Sequence, residues 1–87
     1  LKVYQYKATA ATNFSLFSDP NDIIDEMMLE NEYGLEVNET LIDIPKAIEE
    51  IKSLEVGGVW RHQLCIVKCI EMAEEDYYKS PQRGGLK

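Results

Sequence analysis

The chain reads as an α+β fold: a short N-terminal strand or hairpin packed on about three helices, spanning 20–33, 44–55 and 59–79. An all-α small bundle is the alternative. Three observations carry this reading. Residues 2–8 alternate and are rich in valine and tyrosine. Aspartate stands just ahead of proline at Asp19-Pro20 and again at Asp43-Ile44-Pro45, the signature of a helix start. Apolar residues then recur at helical spacing through the second half.

In Lys2 to Ala8, Val3 lies opposite Tyr4 and Tyr6, and such residues favour a pleated, half-buried strand. Phe14, Leu16 and Phe17 predict a second short strand, and the two would pair as a hairpin, without an Asn-Gly or Asp-Gly turn. Ser18-Asp19-Pro20 offers a capping side chain followed by proline at the first helical position, where its missing N–H costs nothing. Asp22 and Asp25 then complement the positive end of the helix dipole. Ile23, Ile24, Met27 and Met28 define the buried face of this first helix, and Gly34 ends it.

Residues 35–44 admit short strand segments, with Thr40–Ile44 as a brief edge strand. Asp43 would cap the second helix, whose Ile44, Ala47, Ile48, Ile51 and Leu54 fall within a narrow arc at 100° per residue, the α-helical turn angle. Gly57-Gly58 closes it. Between 59 and 79 the strand period is interrupted, because Lys68 falls among Leu64, Ile66 and Ile70. The helical period instead aligns Ile66, Cys69, Ile70, Ala73 and Tyr77, with Trp60, Leu64, Val67 and Tyr78 as a shoulder. Residues 80–87, with Pro81 and Gly84-Gly85, are expected to be a flexible tail behind a single compact domain at 1–79.

With 87 residues the chain makes one domain, and a chain of this size buries roughly 60–65% of its unfolded surface. Its 45% apolar and 29% charged content is that of a globular protein rather than a disordered one. No apolar run approaches the roughly 20 residues that cross a bilayer, and no signal-peptide pattern is visible. Leu1 in place of Met suggests an excised domain or a processed chain. Cys65 and Cys69 are too few for a disulfide framework, which favours an intracellular or organellar setting over secretion. Asn13-Phe14-Ser15 and Asn38-Glu39-Thr40 match the glycosylation acceptor pattern and are read as chance.

Charge is distributed unevenly. Residues 19–55 hold twelve of the sixteen carboxylates against Lys46 and Lys52, a net −10, while residues 1–18 carry +2 and residues 56–87 carry +1. An anionic centre of this strength disfavours DNA, RNA or an anionic membrane as direct ligands, since those reward clustered Lys and Arg. It favours a protein with a basic surface, or a place as a subunit of a larger assembly, through faster encounter. In the first helix Leu29 and Tyr33 stand away from the Ile23/Met27 face, framed by Asp22, Asp25, Glu26 and Glu32. A large apolar pair rimmed by charge has the make-up of a binding anchor. Trp60 and Leu64 would add buried area to the same docking.

Signs of catalysis are sparse. Neither glycine pair has phosphate-loop spacing, and no nucleophile elbow or zinc-protease motif occurs. His62, Cys65 and Cys69 would point the same way on a helix, yet a structural zinc site needs a fourth ligand that no further Cys or His supplies. The reading is therefore of a non-catalytic interaction domain, an acidic subunit, adaptor or inhibitor, with no cofactor. A nucleic-acid-mimicking inhibitor is its sharper form.

The stretch Met27-Met28-Leu29-Glu30-Asn31-Glu32-Tyr33-Gly34-Leu35-Glu36-Val37 resembles the second helix and following turn of an acyl carrier protein. Ile44-Pro45-Lys46-Ala47-Ile48-Glu49-Glu50-Ile51 is similar to the start of that family's last helix. The resemblance implies a small acidic helical bundle that presents this surface to basic partner enzymes. It also implies a phosphopantetheine arm on the serine of an Asp-Ser-Leu motif. Here Asp19 occupies that serine's place, with Ser18 one residue off, so the implied relative carries no prosthetic group.

Overall fold

A computed structural model describes residues 1–9, 11–23, 44–62 and 65–84. Four strands, β1 (Lys2–Ala8), β2 (Ser15–Phe17), β3 (Val59–Arg61) and β4 (Cys65–Glu71), form one sheet in the order β2-β1-β4-β3. Every pairing is antiparallel. Two helices accompany them, α1 (Ile44–Lys52) and α2 (Glu74–Lys79), and residues 20–23 are also helical. The α+β class holds, and the sheet rules out an all-α bundle.

The predicted hairpin is present. Tyr4 faces Phe17 and Tyr6 faces Ser15 across the β1–β2 pair. Alternation sets which side each residue takes. Tyr4, Tyr6 and Ala8 join Cys65, Val67, Cys69 and Phe17 on one face, where Ile23, Ala47 and Ile51 cover them and Trp60 packs at the margin. On the reverse face Val3 and Leu16 meet Tyr77 of α2, with Phe14, Ile70 and Met72 around them. Among the described residues the sheet is thus the middle layer, fully covered on one side and partly on the other.

The start of the first predicted helix follows its sequence signal, and Asp43, the expected cap of the second, lies outside the described residues. Asp19 Oδ1 accepts the backbone N–H of Asn21 at 2.9 Å and its side-chain amide at 2.8 Å, with Pro20 opening the turn between them. The predicted first helix is seen over 20–23, and residues 24–33 lie outside the described residues; of the edge strand expected at Thr40–Ile44, residues 40–43 also lie outside them and Ile44 is helical. The second helix ends at Lys52, three residues before the predicted boundary. Ser53 Oγ donates to Glu50 O at 2.8 Å and the chain turns away there. Gly57, at φ 92°, and Gly58 belong to the entry of the next hairpin: Gly57 N–H donates to Cys69 O and Cys69 N–H to Gly58 O. A left-handed residue at this point suits glycine.

The predicted helix over 59–79 is corrected. Residues 59–61 and 65–71 are strands, and only 74–79 is helical. Cys65, Val67 and Cys69 are buried while Ile66 and Lys68 are exposed, the period-two pattern of a strand. The pattern was disguised because the outward row is not uniformly polar. Ile70 ends that row beneath α2, and Ile66 stands open to solvent.

Chain contacts continue past residue 79. Leu16 N–H donates to Gln82 O at 2.8 Å and Gly84 N–H to Leu16 O at 2.7 Å, forming a parallel bridge between Leu16 and Arg83. The segment predicted as a tail therefore meets the outer edge of β2 at 82–84.

Candidate functional site

The anionic surface is built on the layer that covers the fully packed face of the sheet. Ala47 and Ile51 face inward from α1, which turns Glu49 and Glu50 outward, while Ile23 does the same for Asp22 in the turn at 20–23. Asp19, Asp22, Glu49, Glu50 and Glu55 are all exposed, and among the described residues none forms an ion pair. Among the described residues the one ion pair joins the amino group of Leu1 to Glu71 at 2.7 Å, on β4. Asp19, Asp22, Glu49, Glu50 and Glu55 thus present exposed carboxylates with no ion pair seen among the described residues.

Glu50 has a specific partner. Trp60 Nε1 donates to Glu50 Oε2 at 2.8 Å, and the indole stacks on His62 with ring centres 5.9 Å apart. Trp60 is half-buried against the core, so its ring pins β3 to α1 as well as bordering the acidic surface. Of the predicted docking residues, Asp22 and Trp60 are seen on this side. Asp25, Glu26, Leu29, Glu32, Tyr33 and Leu64 lie outside the described residues.

The convergence of His62, Cys65 and Cys69 depended on a helix, and the strand removes it. Cys65 and Cys69 share a face of β4 but stand four residues apart, about 13 Å along a strand, too far for one ion. Both are fully buried in the core. Burial pushes the Cys69 thiol above its ordinary range, partly countered by Lys2 and reinforced by Glu71. A buried thiol held protonated is a packing group rather than a nucleophile.

The structure also shows a surface that helical periodicity concealed. On the reverse face of the sheet, Lys7 of β1 and Arg61 of β3 are the cross-strand partners of Ile66 on β4. In the adjacent row Lys68 lies between Gln5 and Val59. Lys7, Arg61 and Lys68 are exposed, and among the described residues none makes an ion pair. Ile66 and Val59 are 39% and 41% exposed between them, which is high for β-branched residues in a sheet. The signal was present in sequence as the alternation Ile66-Val67-Lys68, which also places Lys7 in register once β1 and β4 are paired.

Comparison with protein families, curated proteins and solved structures finds no match for the chain. Of the two stretches that resemble an acyl carrier protein, residues 27–37 lie outside the described residues, and no match bears on the resemblance. Among the described residues, no group of three potential metal ligands converges, and no helix is long and apolar enough to cross a membrane.

Proposed function

We infer that this is a non-catalytic interaction domain whose acidic helical layer docks on a basic surface of a partner protein. The observation that carries this reading is the exposure of Asp19, Asp22, Glu49, Glu50 and Glu55 without a single ion pair among them. Unpaired like charges raise the energy of the free domain, and a cationic partner relieves that repulsion while accelerating encounter. Leu29 and Tyr33 supply the apolar anchor in this reading. A partner whose basic surface normally receives nucleic acid fits the same chemistry.

The test is native co-purification with mass spectrometry, followed by affinity measurement against the recovered partner. Screening shortens from about 10 Å at 0.1 M salt to about 3 Å at 1 M, so association should weaken steeply over that range. Asp22→Asn, Glu49→Gln and Glu50→Gln together should reduce it several-fold, and Glu50→Gln retains an oxygen to accept the Trp60 bond. Leu29→Ala with Tyr33→Ala should weaken it without unfolding the domain. Binding indifferent to salt and to all three neutralisations would overturn the assignment.

A further inference from the structure

The reverse face of the sheet is cationic, and among the described residues only half of it is covered. Helix α2 seals the end that holds Val3, Leu16 and Ile70 through Tyr77. The other end presents Lys7, Arg61 and Lys68 around Ile66 and Val59, with Gln5 beside them. Strands lie about 4.8 Å apart, which puts Lys7 and Arg61 about 10 Å apart on either side of Ile66, and Lys68 stands two residues along β4. These separations are within one screening length at about 0.1 M salt. Three cations held together, with no carboxylate in either row among the described residues, repel one another in the free domain. An anionic occupant removes that cost.

We propose that this half-face docks an acidic segment of another protein, with carboxylates meeting Lys7, Arg61 and Lys68 and an aliphatic side chain seated on Ile66 and Val59. It is a second surface, on the opposite side of the sheet from the acidic layer, and does not depend on the function assigned to that layer. An apolar centre with a charged rim is the anatomy of a protein interface. Single-stranded nucleic acid is disfavoured because the strand aromatics Tyr4, Tyr6, Phe17 and Trp60 all turn to the other face, leaving these rows no stacking platform. An anionic membrane is disfavoured because three cations fall short of the clusters of about four to eight that such surfaces select. The occupant suggested by charge complementarity is therefore an acidic polypeptide.

The probe is a synthetic peptide of repeating Glu-Glu-Val units, titrated into the whole isotope-labelled chain while backbone amide signals are followed. Shifts are expected at Gln5, Lys7, Val59, Arg61, Ile66 and Lys68. The charge-reversal variant K7E/R61E/K68E should lose about tenfold or more in affinity, with an unchanged melting temperature because all three side chains are exposed. Ile66→Thr, which keeps the branched strand residue, should weaken the salt-resistant part of the binding. Neutralising the opposite layer with D22N/E49Q/E50Q should leave peptide binding intact, which separates this proposal from the acidic-layer assignment. The proposal is overturned if the charge-reversal variant binds the peptide as well as the parent chain. It is also overturned if oligothymidylate or phosphatidylserine vesicles displace the peptide at equal charge concentration. Sedimentation showing that the parent self-associates and K7E/R61E/K68E does not would make a second copy the occupant, and would overturn it equally.

Discussion

Gly84 gives the sharpest test of how the last described residues are held. A Cβ built there would lie 2.5 Å from Cζ and 2.6 Å from Cε1 of Phe17, where carbon atoms ordinarily rest at about 3.5–4 Å. The Phe17 ring is almost fully buried, so it has nowhere to go. Overpacking of this kind costs about 1–3 kcal/mol. The chain has one escape, which is to lift residues 82–84 off β2. That escape forfeits the Leu16–Gln82 and Gly84–Leu16 backbone bonds, each worth about 0.5–1.5 kcal/mol, and the Arg83 guanidinium that sits 5.0 Å from the centre of the Tyr78 ring. Backbone freedom regained offsets part of the loss. Undocking therefore caps the penalty, and Gly84→Ala should destabilise by about 1–2 kcal/mol. For a domain of this size that is a fall of roughly 5–15 °C in melting temperature. Thermal circular dichroism and urea unfolding followed at the single tryptophan, Trp60, would measure it. A chain ending at Pro81 should lose a similar amount, because it lacks the same contacts without the clash. If Gly84→Ala proved as stable as the parent while the shortened chain did not, the close approach to Phe17 would be refuted.

Tyr77 should separate a hydrogen bond from a packing contribution. Its hydroxyl accepts the Ser18 N–H at 3.1 Å, so Tyr77→Phe should cost about 1 kcal/mol, and Tyr77→Ala about 3 kcal/mol or more by opening the cluster with Val3 and Leu16. Urea midpoints would show a ladder of that order, and equal losses would contradict it. The buried Cys69 thiol holds its proton to higher pH in the folded chain than in the unfolded one. The contribution is thus fully present below the ordinary thiol range of about 8.5 and is lost as pH rises through the higher folded value. Unfolding at a series of pH values should show the parent losing stability above about pH 8.5 more steeply than Cys69→Ala, and parallel curves would count against it.

Local chemistry made half of this fold legible. The Val3/Tyr4/Tyr6 alternation produced the β1–β2 hairpin, and aspartate followed by proline marked the turn at Pro20, because capping and φ restriction act on neighbouring residues regardless of the rest of the fold. The helix over 59–79 failed for a tertiary reason. Ile70 is covered by α2 while Ile66 and Lys68 are not, so one strand row is apolar at one end and open at the other. A strand partly buried on both faces loses its period-two signature, and Ile66, Cys69 and Ile70 then fit a helical stripe by coincidence. The same misreading hid the cationic half-face, since Lys7, Arg61 and Lys68 become neighbours only when three strands are placed side by side. The acidic surface was legible because it depends on counting charges along the chain, which needs no topology.

The central ladder of the sheet joins Lys2 to Glu71 and Ala8 to Cys65, so β1 is completed by a strand more than fifty residues later in the chain. A ribosome releasing this chain exposes β1 and β2 long before β4 exists, with Tyr4 and Tyr6 lacking their facing partners. Closing so large a loop is entropically slow, and folding rates fall as contacts become more remote in sequence. The nascent hairpin is consequently an unfinished edge that invites stray strands during synthesis, and release of residues up to Glu71 is what ends that interval of risk.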